Sequence, residues 1–293
     1  MKDYGVNMNT LCIQCLLNKH LESAREYGTA EQANAFCADL LKVLQEALDC
    51  RNSAWAGAQV NKLYAKHFGM GQDRFAEEKR ISNEFVMERM DAIRSRIQAQ
   101  PDPVFAALQF AILGNYLDFS ALKGQVSFEK LEEMLEDALQ MQLDPVAYQR
   151  FLADLQQGKR LLYVTDNAGE IGFDRLLAQE LSKRFPHLEI TFCVRGLPAH
   201  NDATREDAAF VGLEYPMVDT GNDIGGVEFS MISRECQTAF DESDVIISKG
   251  MGNVETMYGC GYNIYYAFLV KCPRIIEFFG KEKFTPMFLA EKG

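Results

Sequence analysis

From Arg160 onward, short apolar runs rich in β-branched and aromatic residues alternate with helical stretches, and the runs stop at polar or glycine-bearing loops. Leu161 to Val164 precedes a helical pattern over about Glu170 to Arg184, and Leu188 to Val194 precedes another from about Ala203. Glu228 to Phe240 reads as a helix before the run Val245 to Ile247, and Arg274 to Phe279 closes the series. This alternation predicts a Rossmann-like α/β lobe, a largely parallel sheet with helices on both faces. Strand order is not readable from it.

In an open sheet of this kind, ligands bind at the carboxyl edge of the strands, so the loops after the runs carry the chemistry. The first loop is Thr165-Asp166-Asn167-Ala168-Gly169-Glu170. It sets two hard oxygen-bearing side chains beside the positive end of a helix, a place suited to a divalent cation and a phosphate. The second runs from Arg195-Gly196 through His200-Asn201-Asp202-Ala203-Thr204, and the third is Lys249-Gly250-Met251-Gly252-Asn253.

Residues 1–157 read as a helical capping lobe and 158–293 as the α/β lobe. Thr29-Ala30-Glu31-Gln32 is a capping-box pattern, after which Ala33, Phe36, Leu40, Leu44 and Leu48 recur on one face. Ile81, Phe85, Ile93 and Ile97 mark another helix, stopped near Pro101 and Pro103. A long helical pattern runs from Phe105 to Phe119, and Asp144-Pro145 offers a cap with proline in the first turn. Gln156-Gln157-Gly158-Lys159 is the break before the first strand.

The net charge of −12 comes with no basic block, which argues against a nucleic-acid partner. The same acidic background means that local charges or a metal must draw in any anionic substrate. The start Met1-Lys2-Asp3-Tyr4 lacks the apolar core of a signal peptide, and no apolar run reaches membrane-spanning length, so a cytoplasmic location is expected. The eight cysteines are dispersed, and six of them read as buried reduced thiols. Cys12 and Cys15 form Cys-Ile-Gln-Cys, but no second pair stands at metal spacing. A structural or incidental role is therefore expected for them.

Taken in order, the loops resemble the damage-control phosphatase superfamily, also called domain of unknown function 89. The likeness lies in Asp166-Asn167-Ala168-Gly169-Glu170 with Asp174, and in Val194-Arg195-Gly196 leading to Asn201-Asp202-Ala203-Thr204 and Asp207. It continues in Ser248-Lys249-Gly250 with Gly252-Asn253, with weaker echoes in Gly114-Asn115 with Asp118 and in Lys271-Cys272-Pro273. The resemblance implies a metal on Asp166, Asn167 and Asp202, and a Gly-Asn motif at Asn115 facing the cleft.

The residues themselves support related readings. Oxygen donors at Asp166, Asn167 and Asp202 suit magnesium or manganese, and other transition divalents are compatible. The plainer alternative is that they cap helices. Lys249 leaves the strand edge as a candidate phosphate clamp, the alternative being a surface lysine on a turn. Gly250 permits close backbone approach, and Asn253 can donate from its amide. Glu170 and Asp174 share a helix face, where Glu170 either orients a metal-bound water or contacts the substrate, or only complements the helix dipole. Arg195 either meets an anionic substrate or pairs with one of these carboxylates. The loop Thr220-Gly221-Asn222-Asp223 with Gly225-Gly226 is either a lid or ordinary turn chemistry.

Gly250-Met251-Gly252 lacks the third glycine of a dinucleotide fingerprint, and there is no Walker-type lysine motif or Gly-x-Ser-x-Gly elbow. The expected protein is a metal-dependent phosphatase of small phosphorylated metabolites, with Asp166, Glu170 and Lys249 as catalytic residues. Lys249, Gly250, Asn253, Asn115 and Arg195 would bind phosphate. The alternatives are an S-adenosylmethionine-dependent methyltransferase and a non-catalytic metal- or phosphometabolite-binding sensor. Oligomeric state is not readable.

Overall fold

The strand β1 (Arg160–Val164) lies at the centre of a six-stranded sheet ordered β3-β2-β1-β4-β5-β6 in the computed structural model. Here β2 is Glu189–Val194, β3 Met217–Asp219, β4 Val245–Lys249, β5 Ile264–Leu269 and β6 Pro286–Ala290. β1 to β5 run parallel, and β6 returns antiparallel beside β5. The structure describes residues 4–50, 52–71, 73–118 and 127–291.

Both sheet faces are buried, which is why the strands read as continuous apolar runs rather than alternating ones. One face carries Leu161, Tyr163, Phe192, Val245, Ile247 and Tyr265. Its cover includes α4 (Ala76–Gln98), α5 (Pro103–Gly114), α7 (Pro145–Gln157) and α8 (Glu170–Arg184). The other carries Leu162, Val164, Cys193, Ile246 and Tyr266, under α10 (Arg234–Glu242), α11 (Met251–Met257) and α12 (Pro273–Phe279). A third core joins α1 (Thr10–Tyr27), α2 (Ala30–Cys50) and α3 (Ser53–Phe68). The core thus runs across the composition shift at residue 158: the helices from Ala76 to Gln157 share one apolar cluster with the sheet.

Local chemistry sets most boundaries. Thr29 and Gln32 exchange the capping-box bonds that open α2, at 2.9 and 3.3 Å. Asp144 accepts from the Val146 N–H at 2.8 Å to start α7, with Pro145 at its first position. Thr204 and Asp207 cap α9 (Arg205–Phe210).

The expected helix from Glu228 begins only at Arg234, because Ser233 caps it and Glu228 is buried, its carboxylate accepting from Ser230 and Asn52. Arg274 to Phe279 is the helix α12 rather than a closing apolar run, since Pro273 opens it and the Cys272 sulfur accepts from the Ile275 N–H. The last strands are instead β5 and β6, which the alternation from Arg160 does not single out. The pattern from Phe105 breaks at Gly114, and Phe119 lies outside the described residues. No helix among the described residues is long and apolar enough to cross a membrane.

Candidate active site

The strand order reverses between β1 and β4, so their exit loops part and leave a crevice at the carboxyl edge. After β1, Thr165 still pairs with Cys193 through its N–H (3.0 Å) and hydroxyl (3.1 Å). The loops after β1 and β2 then zip together. Ala203 N–H donates to Asp166 O at 2.7 Å and Ala168 N–H to Asn201 O at 2.9 Å, which aligns Asn167 with Asp202. Gly169 (φ +76°) turns the chain into α8.

This brings Asp166, Asn167 and Asp202 to one wall of a cavity of about 650 Å³. Asp166 Oδ2 accepts from Asn115 Nδ2 at 2.9 Å and from Asn167 Nδ2 at 2.8 Å. Asp202 Oδ2 accepts from Arg195 Nε at 2.6 Å. Among the described residues the Oδ1 atoms carry no comparable bond: Asp166 Oδ1 has Arg195 at 3.8 Å. Burial first, then the nearby Asp202 and Glu170 carboxylates, push Asp166 well above the usual carboxylate range. Asp202 is pushed up to about 6, chiefly by burial, with Arg195 pulling the other way.

Two crowded carboxylates with outward oxygens are a donor set that a divalent cation would relieve. Asn167 fits as a neutral third donor. Its Nδ2 is spent on Asp166 and Glu170, and Oδ1 accepts from Asn201 at 2.9 Å while keeping a second lone pair. Among the described residues, no group of three or more His, Cys, Asp or Glu is arranged to hold a metal. The set here is two carboxylates and an amide.

The expected phosphate-binding residues take a different place, since none of Lys249, Gly250, Asn253, Asn115 and Arg195 lines the cavity. Positions 245, 247 and 249 of β4 point alternately to the face under α5 and α8. Lys249 is therefore fully buried there, donating to Glu170, to Asp174 at 2.8 Å and to Ala111 O at 2.8 Å. All three of its donors are used, so it braces rather than clamps. Glu170 is likewise fully buried, its oxygens taken by Lys249, Asn115 and Asn167, which removes it from contact with water or substrate.

Arg195 takes the ion-pair alternative, 1% exposed between Asp202 and Asn253. Asn253 spends its amide on Thr165 O and Lys249 O. Asn115 holds Asp166 and Glu170 while accepting from the Leu269 N–H.

The buried cation on the cavity wall, among the described residues, is Lys271, whose ammonium donates to Asp118 and to Asn115 O, each at 2.6 Å. Lys19, Arg274 and Lys283 also line it. Gly225, in the expected lid loop, is part of the wall, and that loop is pinned by Asn222 bonding Thr220 O and Met231 O. Cys12 and Cys15, remote in sequence, line the same cavity from α1. The described cysteines form no disulfide; Cys193 and Cys236 are buried, and Cys50 has no described side chain.

Asn83 was missed altogether. It accepts from the Gly169 N–H at 2.6 Å and donates to Asp207 at 2.9 Å, tying α4 to both loops. The available signal was an asparagine on the helical face shared with Val86 and Met90, all three buried.

A sequence model of the damage-control phosphatase ARMT1-like domain matches residues 8–285. The chain belongs to the damage-control phosphatase family. A damage-control phosphatase of Pyrococcus horikoshii is 31% identical over 271 residues, covering 90% of this chain and 91% of that one. Another, from Archaeoglobus fulgidus, is 30% identical over 257 residues, covering 86% and 88%. An uncharacterized protein of Methanocaldococcus jannaschii is 30% identical over 288 residues, covering 94% and 93%. The crystal structure of a DUF89 family protein from Pyrococcus horikoshii superposes with a TM-score of 0.82 at 28% identity, across 97% of this chain and 99% of that one. Membership in the damage-control phosphatase family supports a phosphatase role.

Proposed function

We propose that this chain is a metal-dependent phosphatase that hydrolyses phosphomonoesters of small metabolites. The observation that carries the reading is the meeting of Asp166 and Asp202 at the switch point of the sheet, oxygens toward a cavity whose wall also holds Lys271. Asp166, Asn167 and Asp202 would hold magnesium or manganese. When bound, such an ion supplies charge to the phosphoryl oxygens and acidifies water.

The chain's own residues do the rest. Lys271, buried and fixed by Asp118 and Asn115 O, meets the phosphoryl group with a positive charge. Asp118 lines the same wall outside the proposed metal set and receives the proton of the attacking water. Asn115, Arg195 and the Lys249–Glu170–Asp174 group hold the ligand carboxylates at fixed positions without touching substrate. Direct attack by water is favoured over a phospho-aspartate, because Asp166 cannot readily serve as both ligand and nucleophile.

The test is phosphate release from p-nitrophenyl phosphate by protein stripped of metal, then supplied with magnesium or manganese. Turnover that requires the metal supports the reading. Tight binding of phosphate esters without turnover would replace it with a sensor.

A further inference from the structure

Four acidic side chains among the described residues line the cavity, and three of them, Asp118, Asp166 and Asp202, already have a place in the reaction. The fourth is Glu255. Met251, Gly252 and Glu255 stand at i, i+1 and i+4 of α11 and all border the cavity, while Asn253, Val254 and Met257 are buried behind them. Glu255 is thus on the cavity face of its helix.

The first turn of α11 lies against both ligand carboxylates. It follows Gly250, which abuts Asp166, and a Cβ placed on Gly252 would lie 2.1 Å from Gly225 O. The Cβ position of Gly225 is in turn 3.7 Å from Asp202 Oδ2. Glu255 comes one turn later, a rise of about 6 Å from Met251. With the phosphoryl group beside Asp166, Asp202 and Lys271, that step reaches the ester oxygen and the first atoms of the leaving group.

The two carboxyl oxygens of Glu255 differ. Oε2 accepts from the Ser53 hydroxyl, which α3 presents to the same cavity. Oε1 makes no hydrogen bond among the described residues, and it is not one of the sealed, unpartnered polar atoms. Burial raises the proton affinity of the carboxyl; the Ser53 bond and Arg274 oppose this, and Asp118 adds to it. The Cys12 and Cys272 thiols are its other titratable neighbours, from α1 and the start of α12.

We propose, on the phosphatase reading above, that Glu255 is a further catalytic residue, the general acid that protonates the leaving-group oxygen through Oε1. Asp118 follows α5 on one face of the sheet and Glu255 stands on α11 on the other. In-line displacement requires that opposition, since the entering and leaving oxygens lie on opposite sides of phosphorus. The water oxygen bonds phosphorus and gives one proton to Asp118. As the bond from phosphorus to the ester oxygen breaks, its electron pair stays on that oxygen, which takes the proton of Glu255. The products are an alcohol, hydrogen phosphate, protonated Asp118 and ionised Glu255. One proton passing from Asp118 to Glu255 through solvent restores the starting state.

The test compares kcat/KM for p-nitrophenyl phosphate, whose leaving group departs without protonation, with that for an alkyl phosphate, whose leaving group does not. Both are measured in the metal-supplied wild type and in Glu255→Gln. Glutamine keeps an acceptor for Ser53 but is no acid, so bracing is retained while proton donation is lost. The alkyl ester should lose about 100-fold or more and the p-nitrophenyl ester less than roughly threefold. In the wild type, rising pH should remove turnover of the alkyl ester first, and this comparison decides the matter even where the variant does not fold. Equal losses for the two esters would make Glu255 a brace between α3 and α11 and overturn the proposal. No loss for either ester, parallel wild-type pH profiles, or a wild type that hydrolyses only the p-nitrophenyl ester also overturns it. A wild type that releases phosphate from neither ester overturns the phosphatase reading instead.

Discussion

A Cβ placed on Gly250 would lie 1.9 Å from Oδ2 of Asp166, so the loop after β4 closes directly onto the carboxylate that follows β1. The contact explains why two loops far apart in sequence are both needed at one site.

Gly250→Ala should therefore cripple turnover. Its φ of +77° disfavours alanine, and the added methyl must push Asp166 aside. A displacement near 1 Å at a reacting centre costs roughly 100-fold. Initial rates on the purified variant decide it, and a loss under threefold would show that Asp166 tolerates movement.

The two ligand carboxylates should differ in what they do for stability. Asp202→Ala strands the buried Arg195, which costs about 3 kcal/mol or more, so this variant should melt well below wild type. Metal-free Asp166→Asn should instead melt above metal-free wild type, since it relieves crowding with Asp202 and Glu170. Calorimetry on both variants in chelator is the measurement, and equal melting temperatures would contradict the charge account.

Lys249→Ala should act through the fold. It leaves Glu170 and Asp174 buried without their cation, at a cost of about 3 kcal/mol, or a melting drop of about 6 °C or more. A phosphate clamp would instead lose kcat/KM at unchanged stability. Thermal melts of this variant beside Lys271→Ala distinguish the two lysines.

That exchange of lysines shows what was legible in the sequence. The rhythm of β1, β2 and β4 and the carboxylates after β1 and β2 follow from local rules, and the strands do bring Asp166 and Asp202 together. Which face of β4 lies under α5 and α8 depends on packing between residues 75 to 138 positions apart, so Lys249 gave no sign of being sealed in. Lys271 stood out only as a weak motif echo without a role, and Asn83 not at all, for the same reason: their partners Asp118 and Gly169 come from distant segments. Cys12 and Cys15 looked remote only because α1 reaches the cavity through tertiary packing.

Acid should destabilise the helical layer through His20. Burial first, then Lys19, His200 and Arg74, hold its proton affinity well below the usual histidine value, and its Nδ1 meets the Tyr64 hydroxyl at 3.0 Å. Because the unfolded chain takes up this proton near pH 6.5 and the folded one does not, stability is lost as pH falls below that value. The loss is at most about 1.4 kcal/mol per pH unit for this one group. His20→Gln can keep the Tyr64 bond without titrating, so its stability should fall less steeply between pH 6.5 and 5. Parallel curves for the two proteins would assign the acid lability elsewhere.

The central claim is that Asp166, Asn167 and Asp202 hold the ion on which turnover depends. It is tested most directly by titrating stripped protein with manganese while following bound metal and phosphate release together, for wild type, Asp166→Ala and Asn167→Asp. In Asn167→Asp an added charge about 4 Å from the ion is worth roughly 4 kcal/mol at an effective dielectric near 20. Manganese should therefore bind more tightly, while the anionic ester shows a raised KM or reduced kcat/KM. Wild-type turnover should track occupancy of one site that Asp166→Ala lacks. Phosphate release that proceeds without metal, or identical metal affinity in all three proteins, would contradict the account.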